Sequence, residues 1–287
     1  MTPGNDAQRA FLTEGFTRAH ALATFGESYT AEHQSLDGDQ VFDWLFSNGA
    51  TVRNAVRMSL QGVIENTTPV PEGQEPQGGP FADVRVYCTH DRITEGRKNR
   101  FFDKSIGEFL KAKFECSGAL AWTMVPTDAS KPDIVQMCPW FLDYAMKQKV
   151  QWQTQIGGGK IGSMISKLKL DKFATWAMYT PVDLFQLYEK VIVHELTHTR
   201  RGGQKADLDG FGGYGWKNAR KLSTGTGERS PSRNADSLGL FASISGLIMD
   251  GGMVQENGNF VHGPSAETKK KKRGAFDAAS LKGRPLF

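Results

Sequence analysis

Apolar side chains recur every three or four positions along residues 6–25 and 39–64, and this period predicts helices. The next segment, Thr67–Pro80, holds four prolines and three glycines among polar residues, which predicts an exposed loop. Beyond the loop the pattern changes to short apolar or alternating runs, which predict strands. The three predicted strands are Phe81–Cys88, Ala119–Val125 and Ile134–Met137. A further helix is predicted between the first two strands, over Phe101–Phe114.

Helical spacing returns in the second half of the chain. Thr180–Asp183 has the residue types that begin a helix, namely a capping threonine, a proline in the first turn and an aspartate. Apolar residues then recur at helical spacing as far as Leu196, and Gly202-Gly203 end the segment. Lys217–Leu222 and Ser232–Met249 are predicted helices as well. We therefore expect an α+β fold, with a small sheet, one central helix and a mostly helical remainder.

The central helix contains the segment His194–His198, which reads His-Glu-Leu-Thr-His and is an HExxH motif. Positions i and i+4 of a helix lie on one face, so both imidazoles are placed to bind the same metal ion. Zinc suits neutral imidazole nitrogens, and a catalytic zinc needs three protein ligands and an open position for water. Glu195 lies about 100° round the helix from His194, within reach of that water. The motif therefore predicts one catalytic zinc ion.

A third ligand has to come from elsewhere in the chain. His262 is far downstream, and Glu228 lies in a loop rich in serine, threonine and glycine. The carboxylates nearest to the end of the motif helix are Asp207 and Asp209, on a glycine-rich turn. An aspartate oxygen is a suitable zinc ligand beside two imidazoles, so both residues are candidates.

Three cysteines, Cys88, Cys116 and Cys138, are too few for a disulfide framework and lack the spacing of a zinc finger. Their number allows one disulfide and one free thiol. Cys88 and Cys138 each end a predicted strand, so Cys88–Cys138 is the pair that we expect. The cysteines leave the redox compartment open.

The 287-residue chain has a formal net charge of +4, and Lys269–Arg273 places five cations in one run. A solvated tail is the favoured interpretation of this run, and contact with nucleic acid is the weaker alternative. No apolar stretch has the length needed to cross a bilayer, so no membrane partner is expected. The predicted organisation is a helical segment, 1–66, the exposed loop, 67–80, a catalytic domain, 81–262, and a basic, mobile tail, 263–287.

The chain resembles the aspzincin metallopeptidases, which are the deuterolysins and the fungal peptidyl-Lys metalloendopeptidases. The residues that carry this resemblance are the motif, Gly202-Gly203, the following aspartate, Tyr214-Gly215 and Asn234–Ser237. The resemblance covers residues 81–250 and is specific from 190 to 242. It implies a zincin-like fold and a zinc-dependent endopeptidase that acts on proteins or peptides. It also implies a secreted protein, although the first six residues lack the character of a secretory signal.

The resemblance assigns roles to individual residues. His194, His198 and Asp207 would hold zinc, Glu195 would be the general base, and Tyr214 would stabilise the oxyanion. Asp207 is favoured over Asp209 because the glycine pair precedes it as in the Lys-specific branch. The Gly-Thr of the family pattern is missing, and the interval from Asp207 to Tyr214 is longer. These departures motivate the alternative function of a zincin-fold binding or effector protein with weakened catalysis.

Asp236 has two interpretations. It lies near the start of a predicted helix, where a carboxylate interacts favourably with the helix dipole whatever its function. The resemblance implies instead that Asp236 binds substrate, receiving the ammonium group of a lysine that follows the scissile bond. The oligomeric state is open, and a monomer is the expectation.

Overall fold

The computed structural model describes residues 6–31, 36–47, 49–68, 84–96, 100–110, 116, 119–148, 180, 182–183 and 188–261. Several predicted features lie outside these residues. They are most of the loop 67–80, much of the start of the central helix, His262, and the tail 263–287 with Lys269–Arg273.

Three helices open the chain: α1 is Asp6–Tyr29, α2 is Leu36–Phe46 and α3 is Ala50–Thr67. The first agrees with the helix predicted over 6–25. The helix predicted over 39–64 is interrupted, because α2 ends at Phe46 and α3 begins at Ala50. Ser47 has a positive φ of 58°, which a continuous right-handed helix does not permit.

A three-stranded sheet consists of β1 (Val84–Tyr87), β5 (Ala121–Met124) and β6 (Asp133–Met137). These are the three predicted strands. β6 is central and buried along its whole length, with β1 parallel to it and β5 antiparallel. β5 is therefore an edge strand, and it packs beside the helix that contains the motif.

The helix predicted over Phe101–Phe114 is wrong. The described part of this segment forms two strands, β3 (Phe101–Asp103) and β4 (Glu108–Phe109). They belong to a second sheet, in which β3 is central and pairs with both β4 and β2 (Ile93–Glu95). The chain reverses between β3 and β4, where Gly107 has a φ of +68°. The Asp103 carboxylate accepts hydrogen bonds from both the backbone N–H and the hydroxyl of Ser105, which favours the turn over a helix.

The second half of the described chain is mainly helical. Its helices are α4 (Pro139–Lys147), α5 (Tyr188–Thr197), α6 (Trp216–Leu222) and α7 (Ala235–Met249). Short 3-10 helices lie at Gly210–Gly213, Gly227–Arg229 and Pro231–Arg233, and the last hairpin is β7 (Met253–Val254) with β8 (Phe260–Val261). Mixed helices and small sheets make this an α+β fold. Within the described residues, no helix has both the length and the apolar character to cross a membrane.

One hydrophobic core surrounds α5. Every residue of α5 is buried, and α1 and α7 both pack against this helix. A Cβ at Gly15 of α1 would lie 2.6 Å from the Tyr188 ring of α5, so this glycine permits the close approach of the two helices. The N-terminal helices thus share the core that supports the motif, and the predicted division into domains stays a prediction.

The expected Cys88–Cys138 disulfide is wrong, because Cys138 is bonded to Cys116 and Cys88 is a buried free thiol. The register of the parallel strands explains the error. Tyr87 pairs with Gln136, so the residues that follow them, Cys88 and Met137, lie side by side. Cys138 is one position beyond the partner of Cys88. In a pleated strand, an offset of one residue turns two side chains to opposite faces.

Candidate metal centre

α5 brings the two motif histidines together at its C-terminal end. His194 lies in the last turn, and His198 directly follows Thr197, where the helix ends. The two Nε2 atoms are 3.2 Å apart. The Nδ1 atom of His198 lies 2.7 Å from the Lys205 carbonyl oxygen, so its N–H donates there and its Nε2 keeps a free lone pair. This is the tautomer that a metal ligand needs.

A tight reversal after α5 returns the chain to the histidines. The N–H of Lys205 donates to the carbonyl of Thr197 at 3.0 Å. Gly202 makes this approach possible, since a Cβ there would lie 2.0 Å from the carbonyl oxygen of Leu196. The reversal places Asp207 Oδ1 3.2 Å from His194 Nε2 and 3.5 Å from His198 Nε2.

The three side-chain atoms fit a zinc ion. His194, His198 and Asp207 are the residues that offer a group of close metal-ligating atoms within the described chain. A tetrahedral zinc with bonds of about 2.0–2.1 Å has ligand atoms about 3.3–3.4 Å apart, which matches the observed separations. Two imidazoles and one carboxylate also leave the fourth position of a tetrahedron open to water or substrate.

Charge in this group favours a cation. Burial acts against the imidazolium form of His194, but the carboxylates of Asp207, Asp236 and Glu195 outweigh it and raise the pKa of His194 to about 9. The side chain of Asp207 is 38% exposed, and its partial desolvation acts against the anion, yet the two histidines hold its pKa well below the usual range. A metal ion entering the group would therefore displace a proton from His194.

The carboxylate of Glu195 is held by the neighbouring edge strand. Thr123 of β5 donates its hydroxyl proton to Glu195 Oε2 at 2.8 Å, and the same hydroxyl lies 3.0 Å from the Glu195 carbonyl oxygen. Glu195 is only 5% exposed. Its carboxylate thus has a fixed position beside the histidines without belonging to the group of ligand atoms.

Tyr214 packs against the imidazole ring of His194. The two rings are stacked, with centroids 5.7 Å apart and planes inclined by 26°. Burial, followed by the charge of Asp207 and a hydrogen bond to it, raises the pKa of Tyr214 well above its usual value. The phenol therefore keeps its proton and can act as a hydrogen-bond donor.

Hydrogen bonds from one side chain hold together the two ends of the long segment between Asp207 and Tyr214. Asn234, which is buried, accepts a hydrogen bond from the N–H of Leu208 at 3.3 Å and donates one to the carbonyl of Gly213 at 3.2 Å. Between these points the chain forms the 3-10 helix Gly210–Gly213. The longer interval therefore still allows Tyr214 to stack on His194.

The two remaining candidate residues lie in different surroundings. Asp209 is exposed and has a φ of 58°. Both of its carboxylate oxygens accept hydrogen bonds from Arg229, at 2.9 and 2.5 Å. Of the two aspartates left open by the sequence, Asp207 is therefore the one that lies with the histidines.

Asp236 is buried behind His194, with a relative exposure of 1%. It forms an ion pair with Lys190 of α5 and accepts a hydrogen bond from the N–H of Gly215 at 2.7 Å. Burial opposes the anion, but the charges of Lys190 and His194 prevail and hold the pKa of Asp236 well below its usual range. An internal ammonium group thus already occupies this carboxylate, which favours a supporting role over the predicted contact with a substrate lysine.

Lys190 and Thr123 were not anticipated. Lys190 precedes His194 by one helical turn, so a lysine within the buried row of α5 was a signal of an internal acidic partner. Thr123 had no comparable signal, because its contact with Glu195 arises from the packing of β5 on α5.

No family model matches the chain, and no curated protein sequence matches it. Among solved structures, it is similar to a zinc peptidase from Grifola frondosa, with 13% sequence identity and a TM-score of 0.44. The alignment covers 84% of this chain and 96% of that chain.

Proposed function

We propose that this protein is a zinc-dependent endopeptidase with a zincin-like fold. The observation that carries the proposal is the triangle of His194 Nε2, His198 Nε2 and Asp207 Oδ1, with sides of 3.2–3.5 Å. The Glu195 carboxylate lies near enough for its charge to raise the pKa of His194. Such a group satisfies a catalytic zinc while leaving one position open. The zinc ion would polarise the scissile carbonyl and acidify the attacking water.

The side chains around the zinc ligands have the chemistry that the reaction requires. Glu195 accepts a proton from the attacking water and passes it to the departing amine. Its hydrogen bond from Thr123 fixes the direction in which the free carboxylate oxygen faces. Tyr214, whose phenol remains protonated, would transfer its hydrogen bond from Asp207 to the oxygen of the scissile carbonyl as negative charge develops there.

Protein or peptide substrates follow from this mechanism, whereas a preference for lysine does not. Asp236 has Lys190 as its partner, so a substrate lysine would have to displace a buried ion pair. An extracellular location stays a prediction of the family resemblance, and a monomeric state stays a prediction as well.

A binding or effector protein with a weakened site is the alternative. Its motivation was the long turn between Asp207 and Tyr214. Asn234 closes that turn, and Tyr214 remains stacked on His194, which weakens the argument for lost catalysis. The missing Gly-Thr of the family pattern is the remaining reason to consider a binding or effector protein.

Elemental analysis and a digestion assay test the proposal. The purified protein is expected to hold one zinc ion per chain and to cut an unfolded protein substrate. A chelator is expected to abolish cleavage and added zinc to restore it, because the reaction needs the bound ion to polarise the scissile carbonyl and to acidify the attacking water. Mapped cuts should show no clustering before lysine. Bound zinc without cleavage would favour the binding protein, and the absence of both would exclude a zinc site.

Thr123→Val tests the tether on Glu195. Valine keeps the branched shape of threonine but cannot donate a hydrogen bond. Loss of a hydrogen bond to a charged group costs about 1.5–3 kcal/mol, so we expect kcat to fall roughly 10- to 100-fold. Zinc content should not change, because Thr123 does not contact a ligand atom in the described interactions. Thr123→Ser is the matched control and should recover most of kcat. Equal kcat for the valine variant and the wild type would show that the tether is dispensable.

A further inference from the structure

Asp236 joins the metal-ligand helix to the segment that holds Tyr214. It lies in the first turn of α7, and its Oδ1 atom faces two groups on α5. These are the Lys190 ammonium, which forms an ion pair, and His194 Nδ1, at 3.7 Å. Its Oδ2 atom accepts the N–H of Gly215, the residue after Tyr214. One buried carboxylate thus contacts two parts of the site.

The orientation of the His194 ring depends on this arrangement. Nε2 faces Asp207 at 3.2 Å, so Nδ1 faces Asp236 on the opposite side. The distance of 3.7 Å exceeds a hydrogen bond but lies within the range of a charge contact. A carboxylate on the far side of a ligating histidine fixes the ring and increases the basicity of the ligand nitrogen.

Two carboxylates, those of Asp236 and Asp183, bind the backbone directly after Tyr214. Gly215 has a φ of +83°, and a Cβ there would lie 3.2 Å from Asp183 Oδ1. The next N–H, that of Trp216, donates to the same Asp183 oxygen at 2.5 Å. Two consecutive amides therefore bind two buried carboxylates, which fixes the backbone directly after Tyr214.

We propose that Asp236 is a positioning residue shared by His194 and Tyr214, and that Lys190 is its permanent counter-ion. This inference rests on the proposed function. An asparagine could not replace the aspartate, because Lys190, Gly215 and His194 all present N–H groups to it. An amide has one acceptor oxygen, and its NH2 would face another donor. Lys190 keeps the carboxylate charge compensated, which a buried anion requires.

The first experiment compares Asp236→Asn with Asp103→Asn. Asp103 is the matched control, because it is also a buried carboxylate with a buried cationic partner, Arg92, but lies in the sheet β2–β3–β4. Zinc affinity is measured by competition with a coloured chelator, and the cobalt-substituted proteins are compared by their visible spectra. We expect Asp236→Asn to weaken zinc binding about 10- to 100-fold and to alter the cobalt spectrum. Asp103→Asn should lower thermal stability and leave both metal measurements unchanged.

A double variant separates positioning from a purely structural role. Lys190→Met with Asp236→Asn removes both charges and leaves no uncompensated ion in the core. Its thermal stability should recover relative to Asp236→Asn, while zinc affinity stays weakened and kcat stays low at saturating zinc. Wild-type zinc affinity and cobalt spectrum in the folded double variant would overturn the proposal. Both metal measurements work without peptidase activity, so a protein that binds zinc but cuts nothing refutes the proposed function without deciding the role of Asp236.

Discussion

Replacing Glu195 with glutamine should leave zinc bound and lower peptide cleavage by about 10²- to 10⁴-fold, the usual contribution of a general base. The amide has nearly the shape of the carboxylate and can still accept the Thr123 hydrogen bond through its oxygen. It cannot accept a proton from water. Glu195 does not belong to the group of ligand atoms, so zinc content should stay at the wild-type value.

The measurement for Glu195→Gln is kcat on an unfolded protein substrate, together with zinc content of the same preparation. Glu228→Gln is a suitable control, because it makes the same chemical change at an exposed side chain that pairs with Arg233. A fully active Glu195→Gln protein would contradict the assignment of the base. Loss of zinc from it would instead indicate that Glu195 is a ligand.

Features that depend on local spacing could be predicted from the sequence. The strands β1, β5 and β6 follow from short apolar runs, and the shared face of His194 and His198 follows from helical period. The reversal that returns Asp207 to the histidines was visible in outline, because Gly202-Gly203 mark a position where only glycine tolerates the close backbone.

Features that depend on strand register or on packing between distant segments could not be predicted from the sequence. The Cys116–Cys138 bond replaces the expected pair because the register of β1 on β6 offsets Cys88 by one residue. The β3–β4 turn depends on the positive φ of Gly107, whereas the spacing of Phe101–Phe114 alone permits a helix. Apolar spacing is thus a reliable guide to which residues are buried and a poorer guide to the partner strand.

Distant packing also decides whether Asp207 or Asp209 lies with the histidines, so the sequence alone leaves both candidates open. Their sequence positions differ by two residues within one glycine-rich turn. What separates them is the partner of each carboxylate: the histidines for Asp207, and Arg229, twenty positions further along the chain, for Asp209. Asn234 has a comparable effect, since its bonds to Leu208 and Gly213 allow a turn of unusual length to present Tyr214.

Asp207→Ala should abolish tight zinc binding and cleavage, whereas Asp209→Ala should preserve both. The first change leaves two imidazoles as the protein ligands, fewer than the three of a catalytic zinc site. We expect its zinc affinity to fall by more than about 100-fold, beyond the effect usual for a supporting residue. The second change removes an exposed ion pair with Arg229, worth at most about 1 kcal/mol, and places alanine at a positive φ, which costs about 1–2 kcal/mol more in unfolding free energy.

Thermal unfolding with and without zinc measures this difference independently of activity. A ligand that binds only the folded state stabilises it by about 2.7 kcal/mol at 100 times its dissociation constant. The wild type and Asp209→Ala should therefore unfold at a higher temperature when zinc is added, and Asp207→Ala should not respond at the same zinc concentration. A zinc-induced shift that persists in Asp207→Ala and disappears in Asp209→Ala would reverse the assignment. It would require the turn to release Arg229 and rotate Asp209 towards His194 and His198.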